Sequence, residues 1–139
     1  MIVVDASVAV KWVLPEFGSP RAEAIMEGDD VLTAPDILRI EVAGAVVRRV
    51  RTVAMPPEEA RVLVASWTRA LDRNVVALVP SVPLLDDASH LAIEMRHTLQ
   101  DCLYLALARR NDALLVTADR RFAERSAAHH EKIELIASD

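Results

Sequence analysis

The chain has 139 residues, 53% of them hydrophobic, with a net charge of −5, one cysteine and three glycines. That length supports one domain with a real core and excludes a pair of ordinary domains, and the hydrophobic content argues against a disordered chain. A single cysteine excludes an intrachain disulfide and suits a reducing compartment, and no apolar run approaches the roughly 18 residues of a membrane helix.

Residues 2–5 (IVVD) form a short β-branched run that predicts a buried strand. No basic segment precedes this apolar start, so it does not read as a signal peptide, and the expected location is the cytoplasm. A helix is expected over 6–14, stopped by Pro15. Residues 19–28 carry a helix signature, with Ser19 at the N-cap, Pro20 at the first position and Gly28 at the end. A second strand is expected over 31–34. Pro35 and Asp36 then open a helix to about Thr52. The segment 56–71 begins with prolines and acids, as a helix N-terminus should, and its apolar residues recur at helical spacing. The remaining expectations are a strand over 75–79, helices over 83–96 and 101–111, a strand over 113–117, a helix over 120–127 and a weak edge strand over 132–136.

Strands alternating with helices imply an α/β domain, a parallel sheet with helices on both faces. The scarcity of glycine agrees, because an all-β chain needs many tight turns. No repeat, low-complexity tract or linker divides residues 1–139. In such a sheet, ligands bind outside the carboxyl ends of the strands, at the switch point in strand order.

Acids stand where that rule points. Asp5 ends the first strand, Asp119 follows the fourth, and Asp101 opens the helix DCLYLALARR. Each also precedes a helical run, so each has a plainer reading as an N-cap. Neither Glu nor Gln completes a capping box for any of them, since the third residue onward is Val8, Tyr104 or Phe122. Glu41 lies within a helix, and its neighbours three and four residues away are Ile37, Leu38, Gly44 and Ala45. A carboxylate on that apolar face must be protonated, paired with an arginine such as Arg39 or Arg48, or bound to metal. Four gathered carboxylates repel one another and call for cations. Hard oxygen ligands of this kind suit Mg²⁺ or Mn²⁺.

The stretches VVDASV (3–8), APDILRIEVAGAV (34–46), QDCLYLALA (100–108) and LVTADRRF (115–122) together resemble the four motif blocks of PIN domains, in order and across nearly the whole chain. The nearest branch is the VapC-type toxins of bacterial toxin–antitoxin pairs. The family's metal-binding acids fall on Asp5, Glu41, Asp101 and Asp119, and its small hydroxyl positions on Ser7 and Thr117. The resemblance implies a three-layer domain with about five mainly parallel strands and Mg²⁺- or Mn²⁺-dependent endoribonuclease activity. It also implies a homodimer and inhibition by a small VapB-like antitoxin. Two positions depart from the family pattern. Gln100 stands where many relatives carry an aromatic residue, and Cys102 where many carry alanine.

Basic residues near these acids are candidate RNA contacts: Arg120 and Arg121 follow Asp119 directly, and Lys11 lies one or two turns past Asp5. The arginines of 48–51 read first as a solvated helix end. The four histidines receive no catalytic role, because His90 and His97 are seven apart, which is not the spacing of a helical metal pair, and His129 and His130 lie near the C-terminus. Cys102 reads as a small buried filler, and Trp12 and Trp67 as packing or dimer contacts. Two other functions stand beside the nuclease. One is a catalytically inactive RNA- or protein-binding module of the same fold. The other is a phospho-receiver-like domain, which wants a pair of acids at the first strand and a late lysine; here Asp5 stands alone and Lys132 is the only late lysine.

Overall fold

Ile2–Val4 form strand β1, and all three are buried at the centre of the sheet, with a strand paired on each side and helices over its faces. The structure, a computed structural model, describes residues 1–14 and 19–136. The expected stop at Pro15 lies outside the described residues. After β1 come α1 (Ala6–Val13), α2 (Pro20–Glu27), β2 (Leu32–Pro35), α3 (Ile37–Thr52), α4 (Pro57–Asp72) and β3 (Ala77–Val79). A 3₁₀ turn (Val82–Leu84) leads to α5 (Leu85–Met95), α6 (Leu99–Asn111), β4 (Leu114–Thr117), α7 (Arg120–Ser126) and β5 (Ile133–Leu135).

The five described strands make one parallel sheet in the order β3-β2-β1-β4-β5. The chain winds outward through β2 and β3, then returns to the other side of β1 for β4. The switch point therefore lies between β1 and β4, where a doubly wound sheet opens its ligand crevice. Helix α6 is buried from Cys102 to Ala108, all the way round, as a helix apolar on every face must be. It enters from the carboxyl edge and ends just before β4, so its first turn lies beside the crevice.

Several boundaries differ from those expected. β3 begins at Ala77, because Asn74 takes a left-handed conformation (φ 58°) and the Val75 N–H donates back to the Ala70 carbonyl, closing α4 before a strand starts. Helix α6 begins at Leu99: Thr98 is its N-cap, and the Thr98 hydroxyl accepts the Asp101 N–H at 3.3 Å. Asp101 is thus in the first turn and is not the opening residue. Pro35 belongs to β2, and the helix expected over 83–96 is split into the 3₁₀ turn and α5. Ser19 and Gly28 bound α2 as expected, the Ser19 hydroxyl accepting from Ala22 N at 3.3 Å. Both tryptophans pack, with Trp67 3% exposed and donating to the Arg39 carbonyl, and Trp12 donating to that of Ala22. No described helix is long and apolar enough to cross a membrane.

Candidate active site

Asp5 follows β1 and sits at the N-cap position of α1, but its side chain makes no cap bond. Its Oδ2 instead accepts two hydroxyls, Ser7 Oγ at 2.6 Å and Thr117 Oγ1 at 2.8 Å. Ser7 in turn accepts the Ala118 N–H at 2.9 Å, and Thr117 accepts the Asp119 N–H at 3.0 Å. Each hydroxyl has one hydrogen, and both point at Asp5. The network ties β1, α1 and the end of β4 into one unit across the switch point.

Asp5 is only 3% exposed. Burial pushes its carboxyl from the usual 3.8 up to about 7, against the Ser7 and Thr117 hydrogen bonds and with help from the charges of Asp101 and Glu41. Glu41 is raised as well, by burial first and by the charge of Asp101, while the Tyr104 hydrogen bond opposes. Three acids from three elements therefore feel one another. The partner of Glu41 is the hydroxyl of Tyr104, which donates to Oε1 at 2.7 Å; Arg39 and Arg48, the arginines considered for it, are exposed. Tyr104 is fully buried, and its own ionisation is pushed upward by burial and by Glu41.

Asp119 does act as an N-cap, its Oδ1 accepting the Phe122 N–H at 3.0 Å. The capping role fixes it beside Asp101: one ligand atom from each of His97, Asp101 and Asp119 falls within 4.8 Å of the others. His97 is the residue that sequence reasoning passed over. Its Nε2 lies 2.6 Å from Asp101 Oδ2. Comparing histidines only with one another hides it, whereas the i, i+4 spacing from Asp101 is the signal that could have found it.

The basic candidates divide. Arg120 and Arg121 are exposed on the first turn of α7, whereas Lys11 is 7% exposed on α1. Cys102 is fully buried, and burial pushes its thiol up to about 11, so it stays protonated near neutrality. Lys132 lies ahead of β5, at the opposite edge of the sheet from the acids, with its Nζ 2.8 Å from Asp112. A phospho-receiver would need that lysine beside Asp5.

The donor set is one of carboxylates, in which the charges of Asp101 and Glu41 help to raise Asp5 and that of Asp101 helps to raise Glu41. A divalent ion relieves that repulsion, and oxygen donors of this type fit Mg²⁺ or Mn²⁺.

A parallel sheet with acids on both sides of its switch point defines a small α/β domain built for polar chemistry at one crevice. The family model of the PIN domain matches residues 2–128, and the chain belongs to that family. It is 32% identical over 137 residues to ribonuclease VapC12 of Mycobacterium tuberculosis, covering 99% of this chain and all of the relative. It is likewise 32% identical over 130 residues to ribonuclease VapC3 of Pyrobaculum aerophilum, covering 91% of this chain and 95% of the relative. Among solved structures, the Mycobacterium tuberculosis toxin VapC20, which cleaves the sarcin–ricin loop, superposes with a TM-score of 0.64 at 18% identity, over 94% of this chain and 96% of that one. At that identity the likeness is one of fold.

Proposed function

We propose that this chain is an endoribonuclease of the VapC type, the toxin of a type II toxin–antitoxin pair, working with Mg²⁺ or Mn²⁺. The observation that carries the reading is the gathering of carboxylates at the switch point: Asp101 stands beside Asp119, and the charges of Asp101 and Glu41 are close enough to raise the proton affinity of the buried Asp5. Two relatives named as ribonucleases, matched over nearly their whole length, support it.

Asp5, Glu41, Asp101 and Asp119 would hold the ion. When bound, such an ion supplies activation of water and neutralisation of charge on a phosphodiester. The chain's own residues do the rest. Ser7 and Thr117 pin the Asp5 carboxylate, Tyr104 pins Glu41, and the first turn of α7 pins Asp119. Arg120 and Arg121, exposed next to Asp119, would meet the RNA backbone. With the thiol of Cys102 buried and protonated, no protein nucleophile is invoked. The enzyme works in the cytoplasm as a homodimer and is restrained by a small VapB-like antitoxin.

Cleavage of total cellular RNA by the purified chain tests the reading, with Mg²⁺, with Mn²⁺ and with EDTA. Discrete fragments should appear with either ion and vanish with EDTA. Asp5→Asn should reduce the rate by at least about 100-fold. A double Arg120→Ala, Arg121→Ala variant should weaken RNA binding and flatten its salt dependence. Cleavage that persists in EDTA, or in Asp5→Asn, would defeat the proposal. Metal-independent RNA binding without cleavage, in protein free of antitoxin, would favour the inactive binding module.

A further inference from the structure

His97 lies in the corner between α5 and α6, and its surroundings specify its hydrogen. Arg96 closes α5 in the left-handed conformation (φ 53°, ψ 47°), the His97 N–H donates to the Ala92 carbonyl at 3.1 Å, and Thr98 caps α6. The backbone is held on both sides of the ring. The ring stacks on Phe122 of α7, with centroids 5.1 Å apart and planes 19° apart, and the side chain is only 7% exposed. Nδ1 faces a guanidinium nitrogen of Arg125 at 3.2 Å, and that nitrogen also donates to the Arg96 carbonyl at 2.9 Å. Nε2 faces Asp101 Oδ2 at 2.6 Å.

A guanidinium can only donate. Nδ1 must therefore offer its lone pair to Arg125, which puts the ring hydrogen on Nε2, where Asp101 receives it. His97 has two conceivable relations to a cation at the acids: to ligate it, or to orient a ligand. Ligation meets two obstacles. Two cis ligands about 2.05 Å from Mg²⁺ stand about 2.9 Å apart, wider than the 2.6 Å between Nε2 and Oδ2. And if Nε2 gave its lone pair to a metal, the neutral ring would carry its hydrogen on Nδ1, pointing it at a donor. Orientation meets neither obstacle. One hydrogen bond leaves most of the roughly four lone-pair sites of the carboxylate for other partners.

We propose that His97 is a positioning residue for Asp101. Arg125 sets its tautomer, Phe122 sets its plane, and its Nε2–H holds Oδ2 so that the carboxylate meets the ion in one orientation. This rests on the metal-site reading above.

Calorimetric titration of the full chain with Mn²⁺ alone tests it, comparing wild type with His97→Leu, His97→Gln and Asp101→Asn. Leucine keeps the apolar contact with Phe122 but cannot donate, whereas the glutamine amide can supply an N–H near the position of Nε2. His97→Leu should bind Mn²⁺ about 10-fold more weakly, and His97→Gln should stay within about threefold of wild type. Equal affinity in wild type and His97→Leu, with Asp101→Asn impaired, would overturn the positioning role and leave the metal site standing. A wild type that binds no Mn²⁺ would overturn both. Should His97→Leu fail to fold, imidazole ¹⁵N spectra of the metal-free wild type decide: hydrogen on Nε2 and none on Nδ1 is expected, and a hydrogen on Nδ1 would overturn the proposal.

Discussion

Asp5 shows what a carboxylate does when its position leaves it no water. The folded chain holds its proton up to about pH 7, whereas the unfolded chain releases it near 3.8. A folded pKa above the unfolded one means stability that is complete below about pH 4 and lost as pH rises toward 7. In EDTA, the Tm of wild type should therefore fall by at least about 3 °C more between pH 5 and pH 7.5 than that of Asp5→Asn. Mn²⁺ should reverse much of the fall, because a cation replaces the proton and binds only the folded form. Parallel melting curves for the two proteins in EDTA would show that Asp5 is not held as described. At this scale the sequence was informative about residues and silent about partners. The apolar neighbours of Glu41 showed that it needed one. That the partner is Tyr104, 63 positions away, required the fold to bring the side chains of α3 and α6 within reach of each other. The same holds for His97, whose role depends on Arg125 and Phe122 from α7.

Elements were legible in their kind and less so at their ends. Hydrophobic period separates strand from helix over the length of a segment, but an end is decided by a single cap. Thr98 takes the start of α6, displacing Asp101 inward by three residues. Arg96 ends α5 in a conformation that costs a residue with a Cβ about 1–2 kcal/mol. Arg96→Gly should relieve that strain and stabilise the fold by about 0.5–1 kcal/mol, read as a higher midpoint in urea, with Mn²⁺ affinity unchanged. A lower midpoint would mean that the arginine side chain contributes more than its backbone costs.

At the scale of the whole molecule, the apolar helix 56–71 leaves apolar surface uncovered together with α3. The first two helices bury most of theirs, with Val8, Ala9, Ala22 and Ile25 in the core and Met26 of α2 exposed. The exposed residues include Ile40 and Val47 on α3, 71% and 51% exposed, and Val62 on α4, 57% exposed. Between α3 and α4 runs an apolar groove of about 540 Å³, lined in part by Val47, Val50, Val64 and Ala65. A homodimer that covers this side should give twice the chain mass by light scattering at micromolar concentration, and Val47→Asp should shift it toward the monomer. A clean wild-type monomer would count against the dimer. The net charge of −5 looks unfavourable for an RNA partner, but several of the negative charges are the gathered acids themselves, which bound divalent ions would neutralise.

The order of strands and helices, the parallel sheet and the standing of Asp5, Asp101 and Asp119 near its carboxyl edge were written in the local pattern of the chain, because period, β-branching and helix-end chemistry act over a few residues. The tertiary structure alone decided which groups those acids meet. It set two hydroxyls on Asp5, Tyr104 on Glu41 and His97 on Asp101, and it buried Lys11 while leaving Arg120 and Arg121 at the rim. Those outcomes come from packing between segments far apart in sequence, where no local signal reaches, and burial among them raises the proton affinity of Asp5 and Glu41.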